Sequence, residues 1–269
     1  MDQTERRIFL IKALLREQPR YADMQIPADA DEQKRLLRSL FNIRMPEPVS
    51  EGFLQIQDEY LREETARKGI TLLEDLSPER DGLYLWQGDI TTLGCDAIVN
   101  AANSQMLGCF CPNHGCIDNA IHTFAGVQLR SACAELMKKQ GHEEETGKAK
   151  ITPAYDLPCN YVLHTVGPIV QGRLTENDKE LLASCYRSCL TLAEQNPIKS
   201  IAFCCISTGE FHFPNDEAAK IAIQTVKGYK RQTKSEIEVI FNVFKDLDYE
   251  IYKKLLRTDQ PSARSDRSC

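Results

Sequence analysis

The chain has 269 residues, of which 42% are hydrophobic and 27% are charged. These proportions are typical of globular proteins and exclude a largely disordered chain, and the length allows one sizeable core with a smaller accessory unit. The net charge of −6 gives no overall attraction to nucleic acid or to anionic lipid.

The first segment of the chain is charged throughout and lacks the apolar core of a signal peptide. No apolar run reaches membrane-spanning length. We therefore expect a cytoplasmic protein that acts without a membrane or a nucleic acid as partner. The 11 cysteines are unevenly spaced, and we expect most of them to be reduced thiols, because disulfides are rare in the cytosol.

Residues 1–68 are predicted to form an N-terminal helical extension. Apolar side chains recur there at helical spacing in three sets, and prolines separate the sets. The sets are Ile8, Ile11, Leu14 and Leu15; Leu36, Leu37, Leu40 and Phe41; and Leu54, Tyr60 and Leu61. We interpret the extension as a structural cap, while noting that loose helical segments of this kind also form interaction surfaces.

Residues 69–257 alternate between strands and helices, which predicts a layered α/β unit with a mostly parallel or mixed sheet. Strands are expected at GITLLEDL, GLYLWQGDI, CDAIVNAAN, AKITPAY, YVLHTVGP, SIAFCCIST and IEVIFNVF. Helices are expected over residues 117–140, 177–194 and 215–230, with a short one ending near residue 256. Residues 258–269 are polar and are predicted to be a flexible C-terminal tail.

Three of the predicted strands end in small or polar residues, and ligands collect at the carboxyl ends of such strands. The segments are GDIT (88–91), NAAN (100–103) and STGEFHFP (207–214). Free N–H groups in the third segment suit a diphosphate. The two carboxamides of the second suit a sugar hydroxyl. Ordinary turns are the alternative for each segment taken alone.

A short loop, GCFCPNHGC, follows the asparagine pair. Cys109, His114 and Cys116 have the spacing C-x4-H-x-C, which could place two thiolates and an imidazole around one metal ion with an open fourth position. Cys111 could replace Cys109 as a ligand, although the spacing would then be C-x2-H-x-C and the loop between the ligands would be shorter. A second chemical interpretation is that Cys116 is a nucleophile activated by His114. The alternative without chemistry is a crowded loop of small buried residues.

The motifs GDIT, DAIVNAAN, IDNAIH, ITPAYDLPCNYVLHTVGP, ISTGEFHFP and VIFNVF occur in the order found in macrodomains, the family that binds ADP-ribose. The chain resembles this family over about residues 83–256. It is most similar to the zinc-dependent microbial subgroup of protein-ADP-ribose hydrolases, which carry a cysteine- and histidine-containing insertion after the asparagine pair. The resemblance implies a three-layer α/β/α fold with a central mixed sheet, and one zinc ion per chain held by Cys109, His114 and Cys116.

The resemblance also assigns roles to individual residues. Asp89 and Ile90 would contact the adenine end, and Phe244 would pack on the adenine ring. Asn100 and Asn103 would hold the distal ribose, with Phe213 beside it. Asn103 and Asp118 would be catalytic, the first by orienting the sugar and the second by orienting or deprotonating water. The diphosphate would be wrapped by Ser207, Thr208, Gly209, Glu210 and Phe211.

The expected activity is removal of mono-ADP-ribose from a modified protein, with an aspartate or glutamate ester as the expected linkage and zinc near the anomeric carbon. The alternatives are a non-catalytic ADP-ribose reader with a structural zinc, an O-acetyl-ADP-ribose deacetylase, and a hydrolase with a cysteine nucleophile. By resemblance, a lipoyl-carrier-like protein is one candidate substrate, and a sirtuin-class ADP-ribosyltransferase would be the functional counterpart.

Overall fold

The computed structural model describes residues 1–21 and 23–258, which form a helical extension followed by a layered α/β unit. Of the predicted tail, residue 258 ends a helix, and residues 259–269 lie outside the described part of the chain. None of the helices in the described ranges combines the length and the apolar content needed to cross a membrane.

The extension contains three helices, α1 (Gln3–Glu17), α2 (Ala30–Ile43) and α3 (Glu51–Lys68). Each follows an N-cap side chain, Asp2, Asp29 or Ser50, that accepts a hydrogen bond from a first-turn N–H group. Their apolar faces form a core that also includes Val127 of the α/β unit. The three helices predicted from the apolar spacing are thus confirmed.

The α/β unit has eight strands in the described residues: β1 (Thr71–Leu72), β2 (Leu83–Gln87), β3 (Leu93–Gly94), β4 (Ala97–Ala102), β5 (Ala149–Pro153), β6 (Tyr161–Val166), β7 (Ser200–Phe203) and β8 (Glu238–Val243). A six-stranded sheet has the order β2-β8-β7-β4-β6-β5, while β1 and β3 form a separate parallel pair. Only β5 runs antiparallel to its neighbour in the larger sheet. The predicted mixed sheet is confirmed.

Five further helices complete the unit as described: α4 (Ile117–Phe124), α5 (Val127–Gln140), α6 (Glu176–Glu194), α7 (Asn215–Thr233) and α8 (Asp246–Thr258). Helices α6, α7 and α8 cover one face of the sheet, where Tyr186 packs on Phe203 and Tyr252 packs on Phe241. Helices α4 and α5 cover the other face, and the extension packs outside them. The molecule therefore has the predicted three layers.

Two predicted elements differ from the structure. The single helix expected over residues 117–140 is divided into α4 and α5 at Gly126, whose φ of 84° is outside the helical range. A Cβ at this position would lie 2.5 Å from Nε2 of Gln57 in α3. The Gln57 side chain could move aside, so it is the positive φ of Gly126 that requires glycine there. The strand expected at GITLLEDL is only two residues long and leads into a 3₁₀ turn.

The extension is joined to the α/β unit by polar contacts as well as by its core. The N–H of Val127 donates to Oε1 of Gln57 at 3.0 Å. The guanidinium of Arg130 in α5 donates to the carbonyl of Phe41 at 3.1 Å and to that of Leu107 at 2.8 Å. Arg130 therefore links the C-terminal part of α2 to the loop that follows β4.

Candidate functional site

Four neighbouring parallel strands, β2, β8, β7 and β4, end at the same edge of the sheet. The predicted ligand-binding segments follow them: Asp89 and Ile90 after β2, Phe244 after β8, residues 207–213 after β7, and Asn103 after β4. The structure thus brings these segments to one edge. In α/β sheets this is the edge at which ligands bind.

Asp89 is held at the end of β2 by Thr91 and by a residue of the extension. Its Oδ1 accepts from the N–H of Thr91 at 3.0 Å and from the hydroxyl at 2.6 Å, and its Oδ2 lies 3.0 Å from Nζ of Lys68. Burial favours the protonated acid, but Thr91 and Lys68 outweigh it and lower the pKa of Asp89. Lys68 also lies 3.3 Å from the centre of the Phe124 ring. Asp89 is therefore an anchored carboxylate.

Phe244 lies beside Asp89 because Gln87 and Val243 are paired in the register of β2 and β8. Its side chain is 75% exposed, so the ring is available to an aromatic ligand. The intervening Gly88 lies against Trp86, the only tryptophan in the sequence. A Cβ at Gly88 would be 2.4 Å from Cζ2 of that indole. The close approach of the indole therefore leaves no room for a side chain at position 88.

The loop after β7 presents N–H groups at the same edge. Within the described residues, the N–H groups of Gly209, Glu210 and Phe211 donate to no protein acceptor. The turn is closed by the N–H of Phe213, which donates to the carbonyl of Ser207 at 3.0 Å. Free N–H groups in such a turn can bind an anion.

Two side chains of this loop are buried. Ser207 has a φ of 65°, and its hydroxyl oxygen has no hydrogen-bond partner although it is enclosed. Phe213 is 1% exposed and belongs to the main hydrophobic core. It supports the loop from beneath and offers almost no surface for the expected contact with a ribose, because the whole ring is packed. His212, also at positive φ, is exposed.

Asp118 lies at the start of α4, beneath the end of β4. Its Oδ1 accepts from Nδ2 of Asn100 at 2.8 Å, and its Oδ2 lies 3.5 Å from Nδ2 of Asn103. Asn100 is fully buried and Asp118 is almost so, whereas Asn103 is partly exposed. The three predicted residues are thus in one hydrogen-bonded group, in which Asn100 is the most deeply buried member.

The surroundings of Asp118 favour its protonated form more than water does. Burial raises the pKa of Asp118 to about 6, against the opposing effects of the Asn100 hydrogen bond and the Arg130 charge. Nε2 of His122 lies 3.5 Å from Oδ1 of the carboxyl. Burial lowers the pKa of His122 well below its ordinary value, so this imidazole is neutral. Asp118 therefore has a pKa suited to exchanging protons near neutral pH.

Cys109, His114 and Cys116 are brought together, with their possible ligand atoms within 4.8 Å of one another. Sγ of Cys109 lies 3.6 Å from Nδ1 of His114. Cys116 is the N-cap of α4, and its Sγ accepts from the N–H of Asn119 at 3.4 Å. Cys111 is exposed and is not in the group. The geometry therefore favours Cys109 over Cys111 as the third member.

The loop that carries this group is fixed by the extension. Arg38 of α2 donates to the carbonyl of His114 at 3.0 Å and to Oδ1 of Asn119 at 2.9 Å. Oδ1 of Asn42 accepts from the N–H of Asn113 at 2.9 Å. These contacts join residues more than seventy positions apart in the chain. No local sequence signal indicates these contacts of Arg38 and Asn42, or the contact of Lys68 with Asp89, so sequence patterns do not identify the three residues as part of the site.

The three side chains suit a zinc ion, since two thiolates and one imidazole are a known catalytic ligand set. Burial raises the pKa of the Cys116 thiol to about 12. The N–H of Asn119 opposes this rise, and the neighbouring Cys109 adds to it. A divalent cation would reverse this preference, because it stabilises thiolates. Nε2 of His114 lies 3.6 Å from Oε1 of Glu210, so the group adjoins the loop after β7.

A second buried group, His122, Cys133 and His164, also has its ligand atoms within 4.8 Å. Both ring nitrogens of His164 already have partners, Thr152 at 2.9 Å and Asn100 at 3.2 Å. Burial lowers the pKa of His164 to about 3. We interpret this group as a neutral layer that supports Asn100 and Asp118 from below.

The comparisons with known proteins agree with this architecture. A model of the macro domain family matches residues 99–222. A protein-ADP-ribose hydrolase of Treponema medium is 60% identical, over 95% of this chain and 100% of its own. A Fusarium oxysporum f. sp. cubense protein, named a probable bifunctional ADP-ribose hydrolase/ADP-ribosyltransferase, is 44% identical over 82% of this chain and 40% of its own.

A solved structure gives the same result for the fold. The Trypanosoma brucei macrodomain in complex with ADP-ribose superposes with a TM-score of 0.64 at 30% identity, covering 81% of this chain and 94% of that one.

Proposed function

Because the chain belongs to the macrodomain family, we propose that it is a protein-ADP-ribose hydrolase that releases ADP-ribose from modified side chains. One observation carries the proposal. The free N–H groups of residues 209–211, the Asp118 carboxyl group and the Cys109–His114–Cys116 group all lie at one sheet edge. Binding groups for a nucleotide and groups able to act on its ribose are thus adjacent. The Treponema medium relative named for this activity supports the same conclusion.

In this proposal ADP-ribose lies along the carboxyl edge. Asp89 and Phe244 would hold the adenine, with Ile90 beside them, and the loop from Ser207 to Phe211 would hold the diphosphate. The T. brucei macrodomain, solved with ADP-ribose bound, supports this class of ligand. The enclosed Ser207 hydroxyl without a partner supports a polar ligand at the loop, since a buried hydroxyl is costly to leave unpaired.

Cys109, His114 and Cys116 would hold one zinc ion. When bound, zinc supplies Lewis acidity toward an oxygen of the ribose, of the linkage or of water. The set of two thiols and one imidazole fits that ion and leaves a coordination position open. As a nucleophile Cys116 is disfavoured, because burial raises the pKa of its thiol to about 12.

The residues of the chain would perform the remaining steps. Asn103 orients the distal ribose with its amide, and Asn100 fixes the Asp118 carboxyl through Oδ1. Oδ2 of Asp118, the less engaged oxygen, accepts a proton from the attacking water. The hydroxyl adds to the anomeric carbon while the acyl oxygen leaves with the bonding electrons. The products are ADP-ribose and a free aspartate or glutamate.

The expected substrates are mono-ADP-ribosylated proteins, with an ester linkage as the first candidate and a lipoyl-carrier-like protein as one possible target. The Fusarium relative, named as both hydrolase and transferase, supports a functional link to an ADP-ribosyltransferase. A sirtuin-class transferase would be its counterpart in this proposal.

The test is release of ADP-ribose from a protein modified on aspartate or glutamate, measured before and after chelation. Zinc content is measured on the same sample, and circular dichroism checks the fold. Turnover that is lost with the metal and restored by zinc, with the fold intact, supports the proposal. Tight binding of ADP-ribose without release would instead favour a reader, and cleavage of O-acetyl-ADP-ribose alone would favour a deacetylase.

A further inference from the structure

A groove of about 680 Å³ lies between the extension and α4, outside the carboxyl edge of the sheet. Its floor is apolar and includes Leu37, Phe41, Leu61 and Phe124. Its polar wall is dominated by cations. The charged residues that line it are Lys34, Arg35, Arg38, Arg67, Lys68 and Glu64. Five positive groups and one negative group thus lie together on a chain whose net charge is −6.

Two of these cations are not balanced by a carboxylate. Arg38 donates only to the neutral oxygens of His114 and Asn119. Arg35 is exposed and has no hydrogen bond or ion pair within the described ranges. Lys34 and Arg67 contact Glu64, at 3.1 Å and 3.7 Å. Guanidinium groups bind carboxylates more strongly than neutral acceptors. The groove therefore retains attraction for acidic groups.

Two of the residues that line the groove connect it to the candidate site. Lys68 contacts Asp89. Asn113 precedes His114 in the loop that carries the cysteines. A polypeptide attached to a distal ribose beside that loop must continue over the adjoining surface, and the groove occupies this surface.

We infer that this groove binds the acidic polypeptide segment flanking the modified residue of the substrate protein, an inference that rests on the proposed hydrolase function. Charge complementarity selects the occupant, because acidic side chains would pair with Arg35 and Arg38 above an apolar floor. The extension is then the part of the chain that recognises the protein portion of the substrate, while the sheet edge recognises ADP-ribose.

The test uses the full chain and two peptides that carry the same ADP-ribosylated glutamate. One peptide has aspartate and glutamate flanks, and the other has asparagine and glutamine at those positions. Arg35→Glu reverses the charge at position 35, and Arg35→Lys keeps it positive. Lys12→Glu makes the same charge reversal at an exposed position of α1 outside the groove. Binding of the unmodified acidic peptide is measured separately by fluorescence anisotropy, at low and at high salt.

Wild type should prefer the acidic peptide by about tenfold in kcat/KM, and this preference should weaken with salt. Arg35→Glu should abolish the preference, whereas Arg35→Lys and Lys12→Glu should keep it. The affinity for free ADP-ribose should not change in any variant. Equal kcat/KM for both peptides, together with peptide binding that is independent of Arg35, overturns the inference. So does tighter binding of a single-stranded oligonucleotide than of the acidic peptide.

The two proposals can fail separately. If wild type releases no ADP-ribose from either peptide but binds the acidic one through Arg35, the hydrolase function fails and the groove stands. If wild type releases ADP-ribose with equal kcat/KM from both peptides and binds the unmodified acidic peptide independently of Arg35, the hydrolase function stands and the groove inference fails.

Discussion

At the scale of single residues, the two oxygens of Asp118 have different surroundings. Oδ1 is engaged by Asn100 at 2.8 Å and faces His122, while Oδ2 has only the longer contact with Asn103 at 3.5 Å. One oxygen therefore fixes the orientation of the carboxyl group and the other remains able to accept a proton. Such a division of roles is what a positioned general base requires.

Replacing Asp118 with asparagine removes the proton acceptor and keeps the size of the side chain. We expect Asp118→Asn to reduce kcat by roughly a hundredfold to ten-thousandfold, with the affinity for ADP-ribose nearly unchanged. Single-turnover release assays and calorimetric titration with ADP-ribose measure the two quantities. Asp216→Asn, a change at an exposed residue of α7, is the control. Unchanged turnover in Asp118→Asn would remove this carboxylate from the mechanism.

The cysteine loop offers a matched pair of variants only two positions apart. Cys109 is in the group with His114 and Cys116, whereas Cys111 is exposed outside it. With zinc held by this group as proposed, we expect Cys109→Ala to bind no zinc and to show no turnover, because catalytic zinc sites use three protein ligands. Cys111→Ala should retain both. Metal analysis of the purified variants gives the answer, and zinc lost from Cys111→Ala instead would reverse the assignment.

At the scale of elements, α2 and α3 position parts of the site that belong to other elements. Arg38 of α2 fixes the carbonyl of His114 and the side chain of Asn119, so it restrains the loop without being one of the three candidate ligands. We expect Arg38→Met to weaken zinc affinity by about tenfold to a hundredfold. Competition with a chromogenic chelator measures the affinity. Arg35→Met, which removes a guanidinium without partners in the described residues, should leave it unchanged.

The contact between α3 and the loop after β5 should depend on pH. Burial and the nearby Asp58 raise the pKa of Asp156 to about 7, and Arg62, whose Nε lies 3.0 Å away, opposes the rise only in part. The raised pKa means that the folded state favours the neutral acid. The free energy of unfolding should therefore fall as pH rises from the ordinary aspartate value to about 7.

Asp156→Asn should remove this dependence and stabilise the protein at alkaline pH, by on the order of 2 kcal/mol after the loss of the Arg62 ion pair is allowed for. Chemical denaturation at about pH 5 and about pH 8 provides the comparison, with Asp216→Asn as control. An equal pH dependence in Asp156→Asn and wild type would contradict the expectation.

The elements were predictable from sequence wherever the apolar period was uninterrupted, as in α1, α6, α7 and the buried strands. The single helix expected over 117–140 is interrupted at Gly126, where the chain adopts a positive φ that the apolar spacing does not indicate. Within the site, the motif segments lie at the expected edge, but Asn100 and Phe213 proved to be buried. Exposure depends on packing by α4 and by the loop after β7, and sequence patterns carry no information on that packing.

At the scale of the whole molecule, the extension and the α/β unit share one packed boundary. Val127 belongs to the core of the extension, and Gln57 accepts from its N–H. Arg130 donates to carbonyl groups of α2 and of the loop after β4. Contacts of this kind make separate unfolding of the two parts unfavourable.

We therefore expect one cooperative unfolding transition. In hydrogen exchange measured by mass spectrometry over a denaturant series, peptides from α1 and from β7 should lose protection at the same midpoint. Gln57→Ala should separate the midpoints, because it leaves the N–H of Val127 without its acceptor. Glu59→Ala, a change on the same helix that affects only exposed contacts with Arg6 and Gln55, should not. Two separate transitions in wild type would contradict the expected cooperativity.

The close packing of Trp86 against Gly88 has a practical consequence. The single indole lies against the backbone that leads directly to Asp89, at the end of the cleft assigned to adenine. A nucleotide seated between Asp89 and Phe244 changes the polarity and the rigidity around that indole. The emission spectrum of the unlabelled protein would then follow occupancy of the cleft. With excitation selective for the indole over the nine tyrosines, the emission comes from one residue at one defined place.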